Sequence, residues 1–159
     1  MDGNHGGPAS ERTEAYHLSS DRWSSSQIGQ VRREVLDGEG SPPYRPSGAS
    51  AETAHFHYMW PTFTLNVLPG PPNAGIFVFV PLDAGHTMTI TDHLFDGSAT
   101  DQQVREMMEF ANQVGSEDRE LVESIQRAAA SGGLDHGHLM LSSEHLIQHF
   151  QRLVEAALA

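Results

Sequence analysis

Residues 55–68, HFHYMWPTFTLNVL, alternate apolar and polar side chains over fourteen positions. This run narrows the fold more than any other feature. A period of two fits a half-buried antiparallel strand and not a helix. Phe56, Tyr58 and Trp60 share one face, and after Pro61 the residues Phe63, Leu65 and Val67 continue the alternation. Pro61 places a kink or bulge in the run. Two more strands are predicted, IFVFVPL at 76–82 and TMTITDHLF at 87–95, the latter with Met88 and Ile90 inward and its threonines outward. PGPPNAG at 69–75 and DAGH at 83–86 read as turns. Consecutive strands joined this closely form a meander.

Helical periodicity follows. Val104, Met107, Met108, Ala111 and Val114 form one stripe, which Leu121, Val122 and Ile125 extend past Gly115. Asp118 lies four residues after Val114 and four before Val122, so a carboxylate stands on the apolar stripe. Two explanations apply. If the helix restarts after Gly115, Ser116 is its N-cap, and Glu117 and Asp118 are stabilised by the dipole of the first turn by about 0.3–1 kcal/mol. Otherwise Asp118 faces inward, beside Val114, for a chemical reason. A last helix covers SSEHLIQHFQRLVEAAL, with Ser142 or Ser143 as N-cap and Glu144 in its first turn. Strands followed by helices give an α+β domain, with the helices on one face of an antiparallel sheet.

Residues 1–50 differ in character. SSDRWSSSQIG and DGEGSPPYRPSGASAE are rich in Gly, Ser and Pro, and only IGQVRREVL at 28–36 could form a short helix or strand. The composition predicts a low-complexity, disordered or loosely packed arm before a domain at 51–159. The alternative is part of a domain whose packing partner lies elsewhere.

Composition excludes several classes of function. Net charge is −12, which argues against nucleic acid or an anionic membrane as partner; that all nine basic residues are Arg is a compositional bias. No apolar run is long enough to span a bilayer, and the first residues carry no secretory h-region, so a cytoplasmic location is expected. There is no cysteine, hence no disulfide, thiolate zinc site, cysteine nucleophile or cysteine-ligated iron–sulfur cluster. Ten histidines invite metal chemistry. His145 and His149 are four apart on a helix, His55 and His57 face the same way on a strand, and His136 and His138 share a Gly-rich loop. No third ligand is evident beside any pair, and each is readable as structural.

Three segments, HFHYMWPTFTLNVLPGPPNAGIFVFVPL, NQVGSEDRELVESIQR and GHLMLSSEHLIQHFQRLV, carry a resemblance in order and spacing. They resemble the C-terminal half of the catalytic domain of Rieske-type aromatic-ring-hydroxylating oxygenase α subunits. The resemblance runs from about residue 54 to the end, roughly two-thirds of the chain. It implies a partial helix-grip (Bet v 1-like) fold, in which a curved antiparallel sheet wraps a long helix and encloses a cavity. It implies a mononuclear Fe(II) held by two histidines and a carboxylate, with coordination positions left open for dioxygen. Asp118 matches that carboxylate, pointing between sheet and helix. Val114 would line the substrate pocket, with Trp60 and Thr62 on the first strand beside it. A small organic substrate, a reductase and an oligomeric assembly are the implied partners.

The sequence departs from the family in specific places. The two Cys and two His of the Rieske 2Fe-2S cluster have no counterpart here. The iron-binding histidines of the family lie upstream, four apart; His5 and His17 have neither that spacing nor that setting. Thr62 stands where the family often has Asn, QRAAAS where it often has QRGLRS, and His138 where it often has Arg. The chain therefore reads as a C-terminal fragment, or the product of a truncated or divergent gene. It would supply the carboxylate iron ligand and part of the pocket for dioxygen-dependent hydroxylation. The other reading is a non-catalytic helix-grip module for a ligand or partner, or a non-functional remnant.

Overall fold

The computed structural model describes residues 16–30, 53–132, 137–140 and 143–159. Six strands form one antiparallel sheet: β1 (Tyr16–Ser20), β2 (Ser24–Gln30), β3 (Thr53–Met59), β4 (Phe63–Val67), β5 (Asn73–Asp83) and β6 (His86–Phe95). They lie side by side in chain order, so the sheet is an unbroken meander. Helices α1 (Asp101–Ala130) and α2 (His145–Leu158) follow. The α+β class is the one the periodicities predict.

Three boundaries differ from the sequence reading. First, residues 16–30, assigned to the low-complexity arm, form β1 and β2 and pair into the sheet through Gln27–Phe56 and Ile28–His55. Their serines hide the strand signal, yet Ser25 and Gly29 are buried. A Cβ on Gly29 would clash with the Tyr16 ring, so glycine lets that ring lie over the neighbouring strand. The rest of the arm lies outside the described residues. Second, the long alternating run is a hairpin and not one kinked strand. Trp60, Pro61 and Thr62 form its turn, with a cis peptide at Trp60–Pro61. Third, α1 does not restart after Gly115, so Ser116 caps nothing.

The register assigns each side chain a face. Tyr58, Thr64 and Phe77 stand in one cross-strand row; His57, Leu65 and Ile76 stand in the next, on the opposite face. The two apolar sets of the hairpin thus point to opposite faces, and the sheet is apolar on both. Tyr58 and Trp60 meet Phe150 of α2, with ring centroids 5.6 and 5.9 Å apart. Met88 and Ile90, expected inward, are 44% and 47% exposed on the edge strand β6. Met107 of α1 is buried, at 3%, as are Pro69 and Pro71 between β4 and β5.

Thr100 starts α1 through a capping box. Its Oγ1 accepts from the Gln103 N–H, and Gln103 Oε1 accepts from the Thr100 N–H at 2.9 Å. Asp101 in the first turn and Arg127 in the last complement the helix dipole. Gly132, at φ +73°, closes the far end, donating its N–H to the Ala129 carbonyl. Thr100→Ala should lower stability by about 1 kcal/mol. Urea unfolding followed by circular dichroism at 222 nm measures it; an unchanged midpoint would show that the cap adds nothing. The start of α2 corrects the sequence reading. Glu144, not a serine, is its N-cap, and Glu144 Oε2 accepts from the Met140 N–H at 2.6 Å. Ser142 lies outside the described residues.

Candidate functional site

Residues at spacings of three, four and seven place Met107, Ala111, Val114, Asp118, Leu121, Val122 and Ile125 on one face of α1. Cover on that face changes along the helix. Val104, Met107, Met108 and Ala111 are buried or half-buried. Beyond Ala111, Val114 is 37% exposed, Leu121 59%, Val122 63% and Ile125 50%. Asp118 sits among these four, exposed, with no hydrogen-bond or ion-pair partner among the described residues. Polar side chains around it do pair, Gln113 Nε2 with Glu117 Oε1 at 3.0 Å and Arg127 with Glu123 at 3.9 Å. The expectation that Asp118 points into a space between sheet and helix is not met in this chain. The carboxylate is on the stripe as read, but that part of the stripe is uncovered.

Trp60 and Thr62 come together in the β3–β4 turn. The Trp60 N–H donates to the Trp23 carbonyl at 2.8 Å, and the Thr62 carbonyl accepts from the Phe79 N–H at 2.9 Å. Both side chains are half-buried. The Tyr58 hydroxyl donates to the Pro61 carbonyl at 2.7 Å and closes the turn. Burial pushes the Tyr58 phenol above its ordinary pKa. The candidate residues thus form two pairs, Trp60 with Thr62 at the hairpin turn and Val114 with Asp118 on α1. No described hydrogen bond or ring contact joins the two.

Of the histidine pairs, His55 and His57 have ordinary partners. His55 and His57 are adjacent on β3, with rings 5.9 Å apart. The His57 Nδ1 meets Ser26 Oγ at 2.8 Å, and the His55 Nε2 meets Thr53 Oγ1 at 2.7 Å. His86 pairs with Asp83 at 2.9 Å in the β5–β6 turn. Hydrogen bonds from the Gly85 N–H and then from His86 hold the Asp83 carboxyl below its usual range. His145 is exposed, while the His149 Nε2 is buried without a hydrogen-bond partner among the described residues. His138 is exposed; His5 and His136 lie outside the described residues. Among the described residues no three His, Cys, Asp or Glu side chains come close enough to hold a metal ion. Among the described residues no helix is long and apolar enough to cross a membrane.

One role went unread in the sequence. Phe150 is the ring on which Tyr58 and Trp60 rest. Its place in the stripe of α2 was legible, but its target on the sheet was not.

Two solved structures are similar to this chain. One is the quaternary ammonium Rieske monooxygenase CntA in complex with an inhibitor, 26% identical with a TM-score of 0.69, covering 90% of this chain and 38% of that one. The other is a quaternary ammonium Rieske monooxygenase described for carnitine oxidation by gut microbiota and inter-subunit electron transfer. It is 26% identical with a TM-score of 0.70, covering 87% of this chain and 38% of that one. The chain thus spans well under half the length of either. No curated protein matches it by sequence. The family model for the ring-hydroxylating α subunit (catalytic domain) matches residues 3–159. This chain belongs to the family of ring-hydroxylating oxygenase α-subunit catalytic domains.

Proposed function

We propose that this chain is the carboxylate-bearing part of a Rieske non-haem iron oxygenase α subunit, acting in dioxygen-dependent hydroxylation of a small organic substrate. Asp118 supplies one of three protein ligands to Fe(II), and Val114, Trp60 and Thr62 contribute to the substrate pocket. The remaining ligands and the Rieske 2Fe-2S cluster come from polypeptide that this chain does not span. Electrons come from a reductase, and the assembly is oligomeric and cytoplasmic. The observation that carries the reading is the family match combined with a carboxylate, unpaired among the described residues, at the centre of an apolar helical stripe. A carboxylate is a hard oxygen donor, and with two imidazoles it gives the facial triad that suits Fe(II). The absence of cysteine and of a three-ligand cluster among the described residues favours the second reading, a non-catalytic ligand-binding or interaction module.

Metal retention separates the two. In an assembled α subunit whose C-terminal part is this chain, Asp118→Ala should lower Fe(II) affinity by about 100-fold or more, because it removes a direct ligand and not merely a group that orients one. The isolated chain should gain no thermal stability from anaerobic Fe(II), since one carboxylate cannot fix the geometry. Equal iron content in the assembled wild type and variant would remove Asp118 from the metal site. Iron-dependent stabilisation of the isolated wild type, lost in Asp118→Asn, would show that this chain builds a site by itself.

A further inference from the structure

We propose that β6 is a self-pairing edge. Two copies of this chain join antiparallel through their β6 strands, about a two-fold axis at Thr89, and their sheets become one. The inference stands on the β5–β6 hairpin and does not rest on the iron role of Asp118. β6 ends the sheet, and among the described residues no strand pairs with its outer side. The opposite edge, β1, is five residues long, whereas β6 is ten. Its sequence, HTMTITDHLF, alternates threonine with apolar residues and holds no proline or lysine. Short length, proline and lysine are the usual guards of a sheet edge. The inner side of the same hairpin does carry a guard. β4 reaches along β5 as far as Phe79, whose N–H donates to the Thr62 carbonyl, and Pro81 stands just past that point. Val80 to Met88 therefore form a two-stranded ribbon beyond β4, with Leu82 and Met88 exposed. A ribbon of two strands is marginal in water.

Register selects the occupant. The Phe79 bond turns the peptide groups of odd-numbered β5 residues toward β4, so the even-numbered ones face β6. Val80–Met88, Val78–Ile90 and Ile76–Asp92 are thus the hydrogen-bonded pairs of the β5–β6 ladder. The N–H and C=O groups of Thr87, Thr89 and Thr91 point outward along the free edge. With the axis at Thr89, that residue meets its own copy and Thr87 meets Thr91 of the second copy. All three threonines then exchange both backbone bonds. Met88 stands opposite Ile90 of the second copy, where cross-strand side chains approach closest. An apolar row results, from Val80 and Met88 to Ile90 and Val78 of the second copy. The next pair sets Asp92 against His86 of the second copy. Asp92 is exposed and has no partner among the described residues. His86 holds Asp83 through Nδ1, so its Nε2 can donate to Asp92 of the other copy. Sliding the axis to Ile90 keeps the backbone bonds but places Asp92 against Met88, so charge and apolar match choose Thr89. The edge also keeps repulsion low: in a chain of charge −12, Asp92 is the one carboxylate of β6.

Sedimentation equilibrium and residue-by-residue amide exchange on the full chain test the pairing. The seam runs from His86 to Asp92, well short of the roughly 20–30 residues a side of a standard interface, so association should appear across about 10–500 μM. The mass should rise from 17.4 kDa toward twice that value. Over the same range the N–H groups of Thr87, Thr89 and Thr91 should become about tenfold more protected, while those of Met88 and Ile90, already bonded to β5, change little. Thr89→Pro removes an outward donor and leaves the β5 ladder alone. It should weaken association by about tenfold or more. Thr89→Lys, at an exposed position, sets two like charges face to face at the axis and should weaken association similarly. Asp92→Lys should also weaken it, and His86→Glu added to Asp92→Lys should restore it. A monomer at every concentration overturns the proposal, as does a dimer indifferent to both Thr89 variants, or a charge exchange that fails to restore association. Threonine protection already complete in the dilute monomer assigns the edge to another segment and also overturns it.

Discussion

Met107→Ala should destabilise the isolated chain by about 2–5 kcal/mol, the range for truncating a buried Met, Leu or Ile. Met107 is 3% exposed and is the buried residue of α1. The apolar residues around it in the sequence are half-buried, so little neighbouring structure can collapse to fill the void. Small domains have only about 5–15 kcal/mol of net stability, and this one leaves Leu82, Leu94, Leu121 and Val122 more than half exposed. The substitution should therefore bring the chain close to its folding threshold. Urea unfolding of wild type and variant, followed by circular dichroism and by tryptophan fluorescence, measures it. A loss below about 1 kcal/mol would mean that Met107 is not an anchor of α1. Met107→Leu separates volume from identity, and should cost less than about 1.5 kcal/mol.

The β-meander was readable because its signals are local: β3 and β6 carry a period of two, and β5 is a short continuous apolar run. The hairpin turn at 60–62 was misread as a kink or bulge: the apolar set shifts there from even to odd positions, and that shift marks a chain reversal. β1 and β2 were missed for a different reason. YHLSS and SSSQIGQ have little apolar content, and their burial comes from neighbours on β3 and from the Tyr16 ring over Gly29. Glycine and serine in a strand are informative only once the partner strand is known. On α1 the arithmetic placed Asp118 on the apolar face correctly. It could not foresee where cover ends, because cover depends on how far the rest of the chain reaches. Met88 and Ile90 stand in register with Val80 and Val78, on the face opposite the Tyr58, Thr64, Phe77 and Thr91 row that meets Phe150 of α2, and at an edge with no further strand among the described residues.

Phe150→Ala should release α2 from β3 and alter the Trp60 side of the candidate pocket. The Phe150 ring meets Tyr58 edge-on at 75° and Trp60 at 57°. Each such pair contributes about 0.5–1.5 kcal/mol beyond area burial, so losing both should cost about 1–3 kcal/mol. Phe150 is itself 41% exposed, which keeps the loss below that of Met107. Two local signals should accompany it. In a Trp23→Phe background, Trp60 emission should shift to the red as its ring gains water. Tyr58 should titrate closer to its ordinary value, because burial is what raises its pKa. The sign of the pH effect follows. A phenol whose pKa is raised by folding holds its proton in the folded state when the unfolded chain has lost it. Its contribution to stability is thus present below the unfolded pKa of about 10 and is lost as pH rises through the folded value. Wild type should lose stability across that alkaline window, and Phe150→Ala should lose less. Phe150→Leu keeps apolar volume without the ring, so it should recover part of the stability and little of the Trp60 signal. If Trp60 emission and the Tyr58 titration are the same in all three proteins, Phe150 is a bystander on α2. The hairpin turn would then position Trp60 and Thr62 by its backbone hydrogen bonds alone.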